Sequence, residues 1–135
     1  MSGNPARLHP PYIRSEVLGK EITELFGYIT AATYDLLVMI REFDEEGLWK
    51  LDGICSCAHW LNWQCGISMN AAREKVRVAN ALGGLPLISE AFSKGKISYS
   101  KARAMTRVAT PENEEFLMKI AKYGTAYHVE TVVRG

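Results

Sequence analysis

The chain has 135 residues, which is enough for one domain with a single core and too few for two independent folds. Apolar residues make up 47% of the chain and charged residues 23%, a globular composition that excludes disorder and fibrous repeats. The formal net charge of +1, taken over the whole chain, argues against a strongly basic nucleic-acid binder.

The charge is, however, unevenly distributed along the sequence. Residues 15–52 carry three basic and nine acidic side chains, a net charge of −6. Residues 67–110 carry eight basic and two acidic side chains, a net charge of +6. Near-neutrality is therefore a cancellation between two segments, and this asymmetry indicates either a surface that binds a charged partner or a self-complementary contact.

The N-terminal residues and the cysteines indicate the cellular compartment of the protein. Residues 1–14 are rich in proline and lack the apolar stretch of a signal peptide, so we expect a flexible arm there. No apolar run reaches the ~18 residues of a membrane span. Three cysteines are an odd number, which favours free thiols over a disulfide framework. We therefore expect a cytoplasmic protein with no membrane partner.

A single helical domain is expected over residues 15–135, beginning with one long helix. From Glu16 to about Glu46 apolar residues recur at steps of three and four, with Ser15 as a candidate N-cap and Gly47 as the stop. The stripe consists of Ile22, Leu25, Phe26, Ile29, Leu36, Leu37, Ile40 and Phe43. A helix about 45 Å long exceeds the width of such a domain, so we expect it to find a partner across the domain or in a homodimer.

Short helices separated by turn residues are predicted for the rest of the chain. The candidate N-caps and N-terminal prolines are Ser56, Ser68, Pro86, Ser98, Pro111 and Thr125, and the candidate stops are Gly66, Gly83, Gly95 and Gly124. No alternating run of polar and apolar residues predicts a strand. The predicted fold class is all-α, a long N-terminal helix followed by about six short ones.

The helix predicted after Ser68 carries a polar stripe opposite an apolar one, and it follows Gly66 in a layout that resembles a helix-turn-helix. Arginine and asparagine can contact base edges, and lysine can bind phosphate. The candidate DNA-binding residues are Asn70, Arg73, Lys75, Arg77, Lys101, Arg103 and Arg107. The alternative is that this stripe is the solvated face of an ordinary helical bundle.

One cluster has the ligand types of a zinc site. Cys55, Cys57, His59 and Cys65 lie within eleven residues. A helix beginning after Ser56 turns His59 and Cys65 onto different faces, so packing of the cysteines in the core is the favoured interpretation, and no cofactor is expected.

Catalytic motifs are missing from the sequence. The three histidines, His9, His59 and His128, are far apart, and no phosphate-binding glycine loop or nucleophile motif occurs. We therefore expect no catalytic residue in this chain.

Several segments together resemble a known family. They are residues 56–61 (SCAHWL), 66–68 (GIS), 71–79 (AAREKVRVA), 85–86 (LP), 95–104 (GKISYSKARA) and 106–114 (TRVATPENE). With them the chain resembles domain of unknown function 222, also called the 13E12 repeat family, from about residue 20 to the end. That family typically forms the N-terminal region of bacterial and phage-associated proteins whose C-terminal part is an HNH endonuclease. A second resemblance, over residues 85–104, is to the helix-turn-helix region of ParB-like partition proteins.

The resemblance implies a helical module attached to a DNA-cutting enzyme. If the chain is a fragment, we expect the nuclease downstream of Gly135; if it is a complete protein, we expect the nuclease to have been lost. We expect no cutting by this chain, because an HNH site needs histidines on a ββα element that the sequence lacks. The leading hypothesis is a DNA-binding or DNA-positioning accessory domain whose 67–110 segment faces the phosphate backbone. The alternative is a helical dimerisation or protein-interaction module with no nucleic-acid role.

Overall fold

The computed structural model describes residues 11–124 and 126–134, which form seven helices and no strand. The helices are α1 (Pro11–Glu45), α2 (Cys57–Cys65), α3 (Met69–Leu82), α4 (Pro86–Ser93), α5 (Tyr99–Met105), α6 (Glu114–Tyr123) and α7 (Ala126–Arg134). The all-α prediction, with six short helices after a long one, is confirmed. None of these helices combines the length and the apolar character needed to cross a bilayer.

Helix α1 extends further toward the N-terminus than predicted. It includes Pro11 and Ser15, so Ser15 is a residue within the helix and not its cap, and residues 11–14 of the predicted arm are helical. Proline is compatible with a first helical turn, because the N–H groups of that turn have no partner within the helix. The other end agrees with the prediction, since Gly47 is left-handed with a φ of 65°. The remainder of the predicted arm, and the predicted cap Thr125, lie outside the described residues.

Three serines begin helices as predicted. The hydroxyls of Ser56, Ser68 and Ser98 accept hydrogen bonds of 3.0, 3.1 and 3.1 Å from the backbone N–H three residues further on. Each bond satisfies one of the free N–H groups in a first helical turn. Gly66 ends α2 in the left-handed conformation, so α2 and α3 are joined by only three residues and pack against each other. Helix α5 ends at Met105, and Val108 lies in the turn that follows.

Helix α6 begins later than the prolyl signal predicts. Residues 111–113 form a turn in which Thr110 and Asn113 each donate a backbone N–H to the other's side chain, at 2.7 and 3.3 Å. The helix then begins at Glu114, whose side chain is buried. Its Oε1 accepts a 2.6 Å hydrogen bond from the N–H of Ile88 in the first turn of α4. A carboxylate from α6 therefore caps α4, which has no side-chain cap of its own.

The core lies between α1 and the shorter helices. Phe92 of α4 is fully buried, with its ring edge-on to Tyr34 of α1 at a centroid distance of 5.6 Å. The turn after α4 also touches α1, because a Cβ at Gly95 would lie 2.5 Å from the carbonyl oxygen of Gly27. Gly95 has a φ of 72°, so both its conformation and this close approach require glycine.

The predicted apolar stripe of α1 is divided between two faces. Leu37 and Ile40 are 1% and 4% exposed and belong to the core. Ile22, Leu25 and Ile29 are exposed, although the same stripe includes them. The domain thus covers one apolar face of α1 and leaves another open.

Candidate nucleic-acid interface

Three of the predicted DNA-binding residues meet at one carboxylate, that of Glu74 on α3. Arg77, one turn along the same helix, donates from Nε to Oε2 at 2.9 Å. Arg103 of α5 donates from Nε to Oε1 at 2.8 Å, and Arg107, in the turn after α5, donates from Nη2 to Oε1 at 3.0 Å. We call these four residues the arginine cluster; it joins α3 to α5.

The three arginines differ in how many hydrogen bonds they form within the domain and in how exposed their side chains are. The Arg77 guanidinium also donates to the backbone carbonyl of Arg103 at 3.0 Å and to the Thr106 hydroxyl at 3.3 Å. The side chains of Arg103 and Arg107 remain 45% and 52% exposed. Arg77 therefore fixes the cluster, while the side chains of Arg103 and Arg107 stay about half open to solvent.

The cluster stays charged at neutral pH. Hydrogen bonds from Arg77, and secondly from Arg103, lower the pKa of Glu74 from 4.5 to about 2. In return, the hydrogen bond to Glu74 raises the pKa of Arg103. Three guanidinium groups around one carboxylate leave a net charge of +2, which attracts anions.

A small cavity adjoins the exposed side of the cluster. It has a volume of about 190 Å³ and is lined by Arg103 and Arg107 together with Glu130 and Arg134 of α7. This volume is several times the ~30 Å³ that one water molecule occupies in the liquid, so it is large enough for a phosphate group.

The other predicted residues take different positions. Asn70 and Arg73 are exposed on the same line of α3 as Arg77, and within the described residues neither forms a hydrogen bond or an ion pair. The Lys75 ammonium lies 4.5 Å from the centroid of the Tyr99 ring, a cation–π contact. Lys101 donates from Nζ to the carbonyl of Ala121 at 2.6 Å. The structure thus brings Arg77, Arg103 and Arg107 together and sets Lys101 apart from them.

Lys101 belongs to a second cationic surface, which sequence reasoning missed. A groove of about 560 Å³ lies between α4, α5 and α6, with an apolar floor that includes Ile97 and Met118. The lysines that line this lysine groove are Lys94, Lys96, Lys101, Lys119 and Lys122. Glu90 and Glu115 also line it, and Glu90 pairs with Lys94 at 2.8 Å. These lysines come from separate elements, so no single helix stripe signals them.

The turn between α2 and α3 is held by a side chain that departs from the helix-turn-helix pattern. Asn62 stands where that motif prefers a small apolar residue, and its Nδ2 donates to the carbonyl of Ile67 at 2.7 Å. This hydrogen bond connects a side chain of α2 to the three residues that join α2 to α3. The two helices predicted on either side of Gly66 are therefore formed, with a polar side chain bracing the turn between them.

The cysteine cluster does not form a closed ligand set. Cys57 is buried, and burial, followed by the charge of Asp44, raises the pKa of its thiol to about 11. Cys55 and Cys65 are exposed, so the expected core packing is wrong for these two cysteines. The Nδ1 of His59 accepts a hydrogen bond from the Cys55 N–H at 3.1 Å. In residues 11–124 and 126–134, no three histidine, cysteine, aspartate or glutamate side chains are placed to hold a metal ion together.

Comparison with known proteins places the chain in a family. Residues 29–115 match the family described as Domain of unknown function (DUF222). This range begins within α1 and includes the whole arginine cluster. No curated protein and no solved structure matches the chain. Because the family match covers more than half of its residues, the chain belongs to the DUF222 family.

Proposed function

We propose that this domain contacts the phosphate backbone of duplex DNA through the arginine cluster, and that it has no catalytic activity of its own. The observation that carries the proposal is the excess of charge around Glu74, where one carboxylate holds three arginines and two of them stay about half exposed. Arginine forms two parallel hydrogen bonds to phosphate, and Glu74 fixes the direction of the guanidinium groups before a ligand arrives.

Helix α3 extends this surface beyond the cluster. Asn70 and Arg73 lie near its N-terminus, exposed and on the line of Arg77. In helix-turn-helix proteins the N-terminal residues of the second helix contact base edges. Asn70 and Arg73 are therefore the proposed base-contacting pair. In the setting that the family resemblance implies, such contacts hold DNA beside an HNH nuclease domain.

A titration of fluorescently labelled DNA, followed by anisotropy, tests the proposal. The probes are a duplex of about two helical turns and its single strand, each at low and at physiological salt. We expect the duplex to bind at low salt and to weaken steeply as salt rises, because binding releases counterions. The double variant Arg103→Ala, Arg107→Ala should weaken binding by about tenfold to a hundredfold and lower the salt slope by about two.

Two further variants separate the interface from folding effects. Arg103 and Arg107 also bind Glu74. Arg73→Ala, which removes no hydrogen bond or ion pair within the described residues, provides an independent test, with an expected loss of affinity of about tenfold. The matched control is Lys96→Ala, Lys119→Ala, which removes two charges from the lysine groove. The proposal fails if the unmodified domain binds neither probe at low salt, or if only the lysine variant loses affinity.

Protein association through α1 is a second candidate function. The exposed apolar side chains of that helix favour it, and it requires no nucleic acid.

A further inference from the structure

Helix α1 carries a second apolar line in addition to the one in the core. Its members are Ile22, Leu25, Ile29, Ala32, Leu36 and Met39, all exposed, and we call them the outer seam. Their steps alternate between three and four residues without a break. This is the heptad spacing of a coiled coil, with isoleucine or leucine at the a positions and leucine, alanine and methionine at the d positions.

The outer seam lies on the side of α1 opposite its own domain. Three residues seven apart face the domain: Gly27 lies against Gly95, Tyr34 packs on Phe92, and Arg41 donates to the carbonyl of Ala79 at 3.2 Å. They occupy the f positions of the same heptads, which in a coiled coil point away from the partner helix. Over residues 22–36 a helix that pairs through the seam therefore lies away from the domain, whereas Ile40, an e position at the far end of the seam, is covered by the domain.

The open apolar area is the size that a specific interface needs. Seven large apolar side chains, five of the outer seam with Phe26 and Tyr28 beside them, are 40–74% exposed. At about 200 Å² for each fully exposed side chain, they amount to about 800 Å². A specific protein interface buries about 800 Å² on each partner. In addition, no described residue before Thr30 is buried, so this half of α1 packs less closely on the domain than the half that follows.

The charges beside the seam select the orientation of a second copy. The g positions, which precede the a positions, include Glu21, Asp35 and Glu42, whereas the e positions are Phe26, Thr33 and Ile40. In an antiparallel pair g faces g, so carboxylates would oppose carboxylates. In a parallel pair g faces e, and the e positions of the seam carry no charge, so the carboxylates of the two helices are kept apart from one another. Isoleucine at the first two a positions and leucine at the first d position also follow the pattern that favours two strands.

We infer that α1 pairs with α1 of a second copy of this chain in a parallel, two-stranded coiled coil along the outer seam. The two domains then lie on opposite outer sides of the pair, each attached through its f positions. The pairing uses α1 and no residue of the arginine cluster, so it is independent of the proposed DNA contact.

Sedimentation velocity of the whole chain at several concentrations tests the pairing. We expect a dimer, and we expect Ile29→Glu to raise its dissociation constant by at least about a hundredfold, since two carboxylates would meet inside the seam. Thr23→Glu is the matched control, because it adds the same charge at an exposed position of α1 outside the seam. The expected result for this variant is an unchanged dimer.

Because Ile29 is 55% exposed in the single chain, Ile29→Glu should keep its helix content, measured by circular dichroism. A monomer for the unmodified chain at all concentrations overturns the inference and leaves the seam to a different partner. Equal dissociation of the Ile29→Glu and Thr23→Glu variants overturns it as well.

A cysteine cross-link tests the orientation. In a chain whose exposed Cys55 and Cys65 are replaced by serine, Leu25→Cys places one thiol at an off-centre d position. Identical d positions face each other in a parallel pair, so mild oxidation should give a covalent dimer on a denaturing gel. In an antiparallel pair the two thiols lie far apart, so a dimer that fails to cross-link overturns the parallel arrangement.

Discussion

Helices α1 and α3 each present two lines of residues, one used by the domain and one left open. On α1 the open line is apolar, next to the buried Leu37; on α3 it is polar, with Arg73 exposed beside the engaged Glu74. Covering an open apolar line with another surface lowers the free energy at once, because burial removes the apolar side chains from water. An open charged line is already well solvated, so it gains only when an anion replaces that water. The two helices therefore call for partners of different chemistry.

Two adjacent leucines give the largest expected contrast between the used and the open line of α1. Leu37→Ala should lower the free energy of unfolding by about 3 kcal/mol, because it leaves a cavity in the core. Leu36, which is 40% exposed, should lose less than about 1 kcal/mol on the same change when the protein is dilute. Urea unfolding at low protein concentration measures both values. Similar losses for the two variants would contradict the division of α1 into two faces.

The close approach between α1 and the turn at Gly95 gives the next contrast. Gly95→Ala should cost about 2–3 kcal/mol, because it adds a backbone clash with Gly27 to the strain of a positive φ. Gly53→Ala is the control for strain alone, since Gly53 has a φ of 81° and open space around it, and its expected loss is about 1 kcal/mol. Thermal unfolding compares the two, and an equal loss would mean that the turn does not press on α1.

Glu74, on the line of α3 that the domain uses, should contribute less to the free energy of unfolding than the buried residues of α1, because its carboxylate is partly solvated. Glu74→Gln should lower the free energy of unfolding by about 1–2 kcal/mol at neutral pH, since it removes the charge from the hydrogen bonds that three arginines donate to this carboxylate. The pKa of Glu74 lies at about 2 in the folded chain and at 4.5 ordinarily. The stabilisation is therefore complete above the ordinary value and is lost as the pH falls toward 2.

Unfolding in urea between neutral and acid pH measures this effect. The difference between the unmodified chain and the Glu74→Gln variant should shrink below pH 4.5. Arg73→Gln on the open line is the control, with an expected change of less than about 0.5 kcal/mol at any pH. A Glu74 difference that stays constant down to pH 2 would contradict the carboxylate's role.

Local signals in the sequence predict local structure well in this chain. The serine caps of α2, α3 and α5 and the left-handed Gly66 act through neighbouring backbone groups, so their outcome depends on few residues. The start of α6 was misplaced because Thr110 and Asn113 bond to each other and hold a turn where proline alone predicts a helix.

Contacts between elements are harder to predict. The spacing of apolar residues predicts that α1 is a helix, but it does not show which of them are buried. Leu36 and Leu37 are neighbours in the same pattern, yet Leu36 is exposed and Leu37 lies in the core. The polar stripe of α3 likewise does not predict that Glu74 binds two arginines from α5 and the turn after it. The lysine groove needs side chains from α4, α5 and α6, which only the packed chain brings together.

The buried carboxylate of Glu114 has a consequence for cooperativity. Its bond to the N–H of Ile88 spans 26 residues and supplies α4 with a cap that the residue before that helix does not provide. The first turn of α4 thus becomes satisfied only when the start of α6 docks on it, and Glu114 is buried only when α4 is in place. We therefore expect the two short helices to open and close together, although α5 and its flanking turns separate them along the chain.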